Sequence, residues 1–173
     1  TSFFTGKGIG MGGSHEITEV NNQEYYTGDL SAILMNNLPF WAEIIRTPDL
    51  SIALMKEWEE KIQKIAEQTS KQNVVNISGV PSWSLLLLEK VLKISNKKYI
   101  NEVWPEFEVF FHGGVNFEPY RERFFSMFSE HTPRTMETYN ASEGFFGLED
   151  VPGTGELLLL LDYGIFYEFI PLS

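Results

Sequence analysis

Val74-Val75-Asn76-Ile77-Ser78-Gly79-Val80-Pro81-Ser82-Trp83-Ser84-Leu85-Leu86-Leu87-Leu88 sets the architecture. Val74 to Ser78 is a short β-rich run ended by Gly79 and Pro81, and Ser82 can cap a helix continuing through Leu85–Leu88, Val91 and Leu92. The unit recurs downstream. Phe107 to Phe111 reads as an apolar strand ended by Gly113 and Gly114, and Asn116 can cap a helix whose buried stripe is Tyr120, Phe124 and Phe128. Thr135 to Tyr139 reads as a third strand leading into Asn140-Ala141-Ser142-Glu143-Gly144. Strand, helix, strand, helix, strand requires right-handed crossovers in a parallel sheet. Leu157–Leu161 and Ile165–Ile170 flank Asp162-Tyr163-Gly164, a turn signal that predicts a final antiparallel hairpin.

The predicted fold class is therefore α/β: a βαβαβ parallel-sheet core and hairpin over residues 73–173, behind a helical N-terminal part. Residues 1 to 28 are glycine-rich and read as an irregular loop. Asp29 to about Arg46 reads as helix, a break near Pro39, then helix. Thr47 and Pro48 read as the cap and first residue of an amphipathic helix to about Gln68, carrying Leu50, Leu54, Trp58, Ile62 and Ile65. With no internal repeat or linker, residues 1–173 are expected to form a single unit, in two parts at 1–72 and 73–173. Thr1 opens the chain without Met and Ser173 follows a strand-like stretch, so a fragment of a longer protein is expected.

Composition narrows the function. The chain has 173 residues, 43% hydrophobic and 14% aromatic, which excludes disorder and low-complexity linker. It has no cysteine, and so no disulfide, thiolate nucleophile or cysteine zinc site. A net charge of −11 without a basic stripe argues against nucleic-acid binding. No apolar run approaches the ~18–20 residues of a membrane span, and a cytoplasmic location is expected.

In parallel sheets ligands bind beyond the carboxyl ends of the strands. Three such ends stand out: Gly79-Val80-Pro81-Ser82-Trp83, His112-Gly113-Gly114-Val115 and Tyr139-Asn140-Ala141-Ser142-Glu143-Gly144. Adjacent parallel strands would bring all three loops to one rim. Gly113 and Gly114 would let a flat ring approach the backbone. Tyr139 could stack on a base, Ser142 could hydrogen-bond a phosphate, and Glu143 could offer an oxygen ligand to Mg²⁺. His112, at a strand end beside two glycines, is a plausible ligand contact, whereas His15 and His131 read as ordinary histidines. Gly8-Ile9-Gly10-Met11-Gly12-Gly13 matches G-x-G-x-x-G but lacks a strand before it, a helix after it and the acidic residue some twenty positions on, and reads as a flexible loop. No G-x-S-x-G elbow occurs.

The order and spacing of the three loops resemble the large domain of adenylate-forming enzymes, the superfamily of acyl-CoA synthetases and firefly luciferase. The closer resemblance is to the auxin-responsive promoter family of acyl acid–amido synthetases, particularly its bacterial members. It is carried by Gly79-Val80-Pro81-Ser82-Trp83, Glu102-Val103-Trp104-Pro105, His112-Gly113-Gly114-Val115, Pro119-Tyr120-Arg121, Tyr139 to Phe146 and Leu161 to Pro171, and it reaches back through Gly28-Asp29-Leu30-Ser31-Ala32.

The resemblance implies a ligase that uses ATP and Mg²⁺. A carboxylic acid is adenylated, and its acyl group then passes to an amine such as an amino acid. By the same resemblance Tyr139 and the Gly113-Gly114-Val115 backbone would meet adenine. Ser142 would meet the α-phosphate and Glu143 the Mg²⁺, these two being the expected catalytic pair. Thr138, Asn140 and Phe145 would line the acyl pocket, with Val80, Trp83 and His112 as further substrate contacts. Asn140-Ala141 departs from the small-residue pair of plant members, so their acyl specificity does not transfer. The family's phosphate loop, its later ribose-binding segment and its small C-terminal domain are missing, so the chain is expected to bind nucleotide poorly and to catalyse nothing alone. The alternatives are an acyl-CoA ligase of the same superfamily and a non-catalytic interaction module.

Overall fold

Val74, Val75, Asn76 and Ile77 are all buried, the pattern of a strand covered on both faces. This strand is β5 (Val74–Gly79) of a computed structural model that describes residues 5–20 and 23–171. Before it come β1 (Lys7–Gly10), β2 (His15–Val20), β3 (Gln23–Gly28), α1 (Leu30–Asn36), α2 (Phe40–Ile45), β4 (Arg46–Thr47), α3 (Leu50–Ala53) and α4 (Trp58–Thr69). After it come α5 (Pro81–Ser95), a 3-10 turn at Ile100–Glu102, β6 (Val109–His112), α6 (Glu118–Ser126), β7 (Arg134–Ala141), β8 (Gly144–Leu148) and β9 (Leu158–Leu159).

The main sheet has seven strands in the order β4-β1-β5-β6-β7-β8-β9, and β2 pairs with β3 separately. Every pairing from β4 to β7 is parallel, and the last two are antiparallel. The α/β class and the parallel β5-α5-β6-α6-β7 core agree with the sequence reading.

Each strand hands over to its helix through local chemistry. Val80 is extended, and Pro81 fills the first turn of α5, where a missing N–H costs nothing. Asn96 ends that helix in the left-handed conformation, φ 51°. The Asn116 side chain accepts the Glu118 N–H at 2.9 Å just ahead of α6, whose N-cap position is Phe117 rather than Asn116. One core cluster joins Ile9 of β1, Ile62 and Ile65 of α4, Leu87 and Leu88 of α5, Phe110 of β6 and Phe124 of α6. Trp104 is fully buried there, its indole N–H donating to the Thr69 carbonyl at 2.9 Å.

Three local expectations are corrected. Residues 7–28 hold β1, β2 and β3 where an irregular loop was expected. β1 escapes detection because two of its four residues are glycine, and Gly8 has no side chain for a packing reason: a Cβ there would lie 2.7 Å from Asn76 Oδ1. The helix read from Pro48 onward is broken. Thr47 belongs to β4, a cis peptide joins it to Pro48, and α3 and α4 are separated by residues 54–57. There Leu54 is buried while Trp58 packs at a tilt against Trp83, ring centroids 4.6 Å apart, so tertiary contacts override the helical period. The antiparallel hairpin exists but lies earlier: β7 and β8 form it around Ser142 and Glu143, and residues 165–170 form no strand.

Phe110 stacks on Phe124 at 4.8 Å and lies edge-on to Phe117 at 5.7 Å, with no exposed surface. Phe110→Ala is expected to cost about 3–5 kcal/mol, measured as a lower urea midpoint at unchanged slope.

Candidate functional site

Lateral register builds the site. Gly10 pairs with Ser78, Ser78 with Phe111, and Phe111 with Met136, forming one row across β1, β5, β6 and β7. One step further along, Gly79 pairs with His112 and His112 with Glu137. β1, β5 and β6 therefore end within one residue of the same level, while β7 continues past them to Ala141 and its hairpin. A cavity of about 890 Å³ opens there, and all four residues of the first row line it.

Three groups make up its walls. Met11, Gly12 and Gly13 follow β1, with Asp29, Leu30, Ser31, Leu34 and Met35 beside them. Gly79, Val80 and Trp83 follow β5, and His112, Gly113 and Gly114 follow β6. Thr138, Asn140, Ala141, Ser142, Phe145 and Leu148 come from the β7–β8 hairpin. A Cβ at Gly113 would collide with the Thr138 carbonyl, so the bare backbone is what lets β7 close against the β6 loop. Thr138 ties the same junction by donating its hydroxyl to the His112 carbonyl at 3.2 Å.

The predicted residues divide accordingly. Val80, Trp83, His112, Gly113, Gly114, Thr138, Asn140, Ser142 and Phe145 line the cavity. Val115, Tyr139 and Glu143 stand outside its lining. Tyr139 to Ala141 belong to β7 rather than to a loop, and Thr138 and Asn140 face the cavity while the Tyr139 ring packs on Phe146, centroids 5.1 Å apart. Tyr139 remains 56% exposed. Glu143 is exposed at the hairpin turn, beside Ser142.

Sequence reasoning passed over the first wall. Met11 to Gly13, Asp29, Ser31 and Met35 lie in the segment read as a loop and in the helix after it. The level ends of β1 and β5 bring them to the cavity, and only the glycine run itself hinted at a close backbone approach. His15 belongs to β2, and nothing is described of its side chain; His131 is exposed. No group of three or more His, Asp or Glu able to hold a metal occurs among the described residues.

His112 is the cavity's buried titratable group. It is 4% exposed, stacks on Phe117 at 4.4 Å, and its Nδ1 has no hydrogen-bond partner. Burial pushes its pKa below the usual 6.5; Glu149 opposes that shift and Arg121 adds to it. The neutral ring is therefore favoured. Glu149, itself buried, is held by N–H groups of Glu137 at 3.1 Å and Gly153 at 2.6 Å.

The GH3 family N-terminal domain matches residues 1–133. The chain belongs to this family. It is the auxin-responsive GH3 family of acyl acid amido synthetases. Members are adenylating enzymes that use ATP and act on small-molecule acids and amino acids. Among curated proteins no match was found. The matched residues include the walls after β1, β5 and β6, whereas the β7–β8 hairpin lies beyond them. Among the described residues no helix is long and apolar enough to cross a membrane.

The depressed His112 pKa has a sign that can be tested. The unfolded chain binds a proton near pH 6.5 and the folded chain resists it, so stability is full above that value and is lost as pH falls from 6.5 through the folded pKa. Urea unfolding at pH 7.5 and at pH 5.5 is expected to show a larger acid loss in the parent than in His112→Leu. Equal losses would mean that His112 contributes nothing to the acid sensitivity.

Proposed function

We propose that this chain supplies the acyl-acid and nucleotide cavity of an ATP-dependent acyl acid–amido synthetase. The observation that carries the reading is the convergence of the Val80, Gly113-Gly114 and Asn140–Ser142 segments on one cavity beyond the carboxyl ends of β5 and β6.

In the first step a carboxylate oxygen bonds to the α-phosphorus of ATP, the bond to the bridging oxygen breaks, and pyrophosphate leaves. In the second an amine nitrogen bonds to the acyl carbon, the carbon–oxygen bond to AMP breaks, and the nitrogen gives up a proton. The residues divide that work. The bare Gly113-Gly114 backbone, continued by Val115, gives a flat purine a surface without side chains. Tyr139 offers adenine the ring face left free by Phe146. Ser142 carries a hydroxyl at the hairpin turn, suited to donate to the α-phosphate. Phe145, with Met11, Met35 and Met136, gives the acyl tail an apolar surroundings that excludes water. Thr138 and Asn140 set polar groups along the same wall, His112 lies next to Thr138, and Val80 and Trp83 are further contacts.

Bound Mg²⁺ supplies neutralisation of the phosphate charge. The donor set suits it: Mg²⁺ commonly takes one or two carboxylates together with substrate phosphates, and Glu143 presents one exposed carboxylate next to Ser142. The domain assignment, as part of a large N-terminal domain, follows from the same reading.

ATP–pyrophosphate exchange with a panel of carboxylic acids, on the protein that carries this domain, tests the proposal. Exchange is expected with at least one apolar acid. Glu143→Ala and Ser142→Ala are each expected to lower it on the order of 10²-fold or more with the fold intact. Exchange at the parent rate in both variants would falsify the assigned roles. Product mass with an amino acid or with coenzyme A as acceptor then separates amide from thioester formation.

A further inference from the structure

Lys61 is a buried charge that the chemistry above leaves unused. It lies on α4 with 3% exposure, and its Nζ donates to the carbonyls of Gly12 at 2.7 Å and Gly13 at 2.9 Å. Burial lowers its pKa from the ordinary lysine value, and the carboxylate of Asp29 works against that shift. An ammonium group this deep is costly unless its N–H groups are met and an opposite charge lies near. Here the wall of the cavity meets both needs.

That wall leaves the sheet early. β1 ends at Gly10, and the last tie to the sheet is the Met11 N–H donating to the Ser78 carbonyl at 2.8 Å. Beyond it, Gly13 N–H donates to Ser31 Oγ at 2.9 Å and Ser14 N–H to Asp29 Oδ2 at 3.3 Å. A Cβ on Gly13 would collide with the Asp29 carboxylate, so the acid and the glycine backbone share one space. Lys61 grips the carbonyls of the same two glycines.

The charge pattern adds a second role. Among the described residues lining the cavity, Asp29 is the only Asp, Glu, Lys or Arg. The carboxylic acid and the nucleotide of the proposed reaction are both anions, and the exposed carboxylate of Asp29 on the cavity wall repels them. Lys61, outside the lining but against its glycines, is the cation placed to offset Asp29.

We propose that Lys61 is a positioning residue for this cavity: it clamps Gly12 and Gly13 and offsets the charge of Asp29, so that anionic ligands are admitted. The charge role rests on the proposed function; the clamp does not.

Hydrogen exchange on the unliganded chain tests the clamp. In Lys61→Met the amides of Gly13 and Ser14 are expected to exchange on the order of tenfold faster while those of β5 keep their rates. Unchanged rates at Gly13 and Ser14 overturn the proposal. Asp29→Asn leaves Lys61 intact, so it serves even where the methionine variant does not fold. It keeps an acceptor for the Ser14 N–H and leaves the ammonium charge unopposed. Titration calorimetry on the protein that carries this domain is then expected to show ATP and benzoate binding tightened by roughly three- to tenfold, about 0.7–1.4 kcal/mol. Affinities equal to or weaker than the parent's overturn the charge role. A parent protein carrying this domain that binds neither probe counts against the proposed function, and the exchange rates still decide the clamp.

Discussion

Everything at the cavity depends on the register of four parallel strands. Because Gly10, Ser78, Phe111 and Met136 stand in one row, the loops that follow β1, β5 and β6 emerge together, and β7 runs on beside them into its hairpin to face the same space. A slip of one residue in any pairing would turn that strand's side chains to the opposite face. The register is held by burial: β5 is covered on both faces, and the aromatic cluster of Phe110, Phe117 and Phe124 fixes β6 against α6. Core packing and site geometry are therefore one constraint.

The electrostatics follow from the same arrangement. The chain is strongly acidic, yet among the described residues the cavity lining contains a single carboxylate, Asp29, and a histidine that burial favours as neutral. Recognition of anions in such a place rests on backbone N–H groups, hydroxyls and a cation bound with the ligand, rather than on a ring of Lys and Arg. Lys61 fits this economy, since its ammonium acts through glycine carbonyls without entering the lining.

Family membership and site geometry draw on different parts of the chain. The family match ends at residue 133, before the hairpin that carries Thr138, Asn140, Ser142 and Phe145. The hairpin joins the site through its own physics: β7 pairs in parallel with β6, and the bare backbone of Gly113 lets the two junctions close. Glu149 strengthens that corner by accepting N–H groups from Glu137 and Gly153.

Much of this was legible beforehand where local chemistry is strong. Apolar runs ended by Gly and Pro marked β5, β6 and β7, Asn116 marked the start of α6, and the alternation of strands with helices implied a parallel sheet and a shared rim. The rest was hidden because it depends on distant partners. β1 is short and half glycine, so it has no hydrophobic period of its own and exists through its pairing with β4 and β5. The helix read from Pro48 breaks because Leu54 and Trp58 find different neighbours. Residues 139 and 143 are close to the cavity in sequence, but the pleat of β7 and the hairpin turn govern where their side chains stand. Composition and pattern thus settled the fold class and three of the four strand ends, because those are local properties of the chain. The glycine wall, its clamp at Lys61 and the facing of each hairpin residue came from long-range packing, where steric fit and buried charge act between residues far apart in sequence.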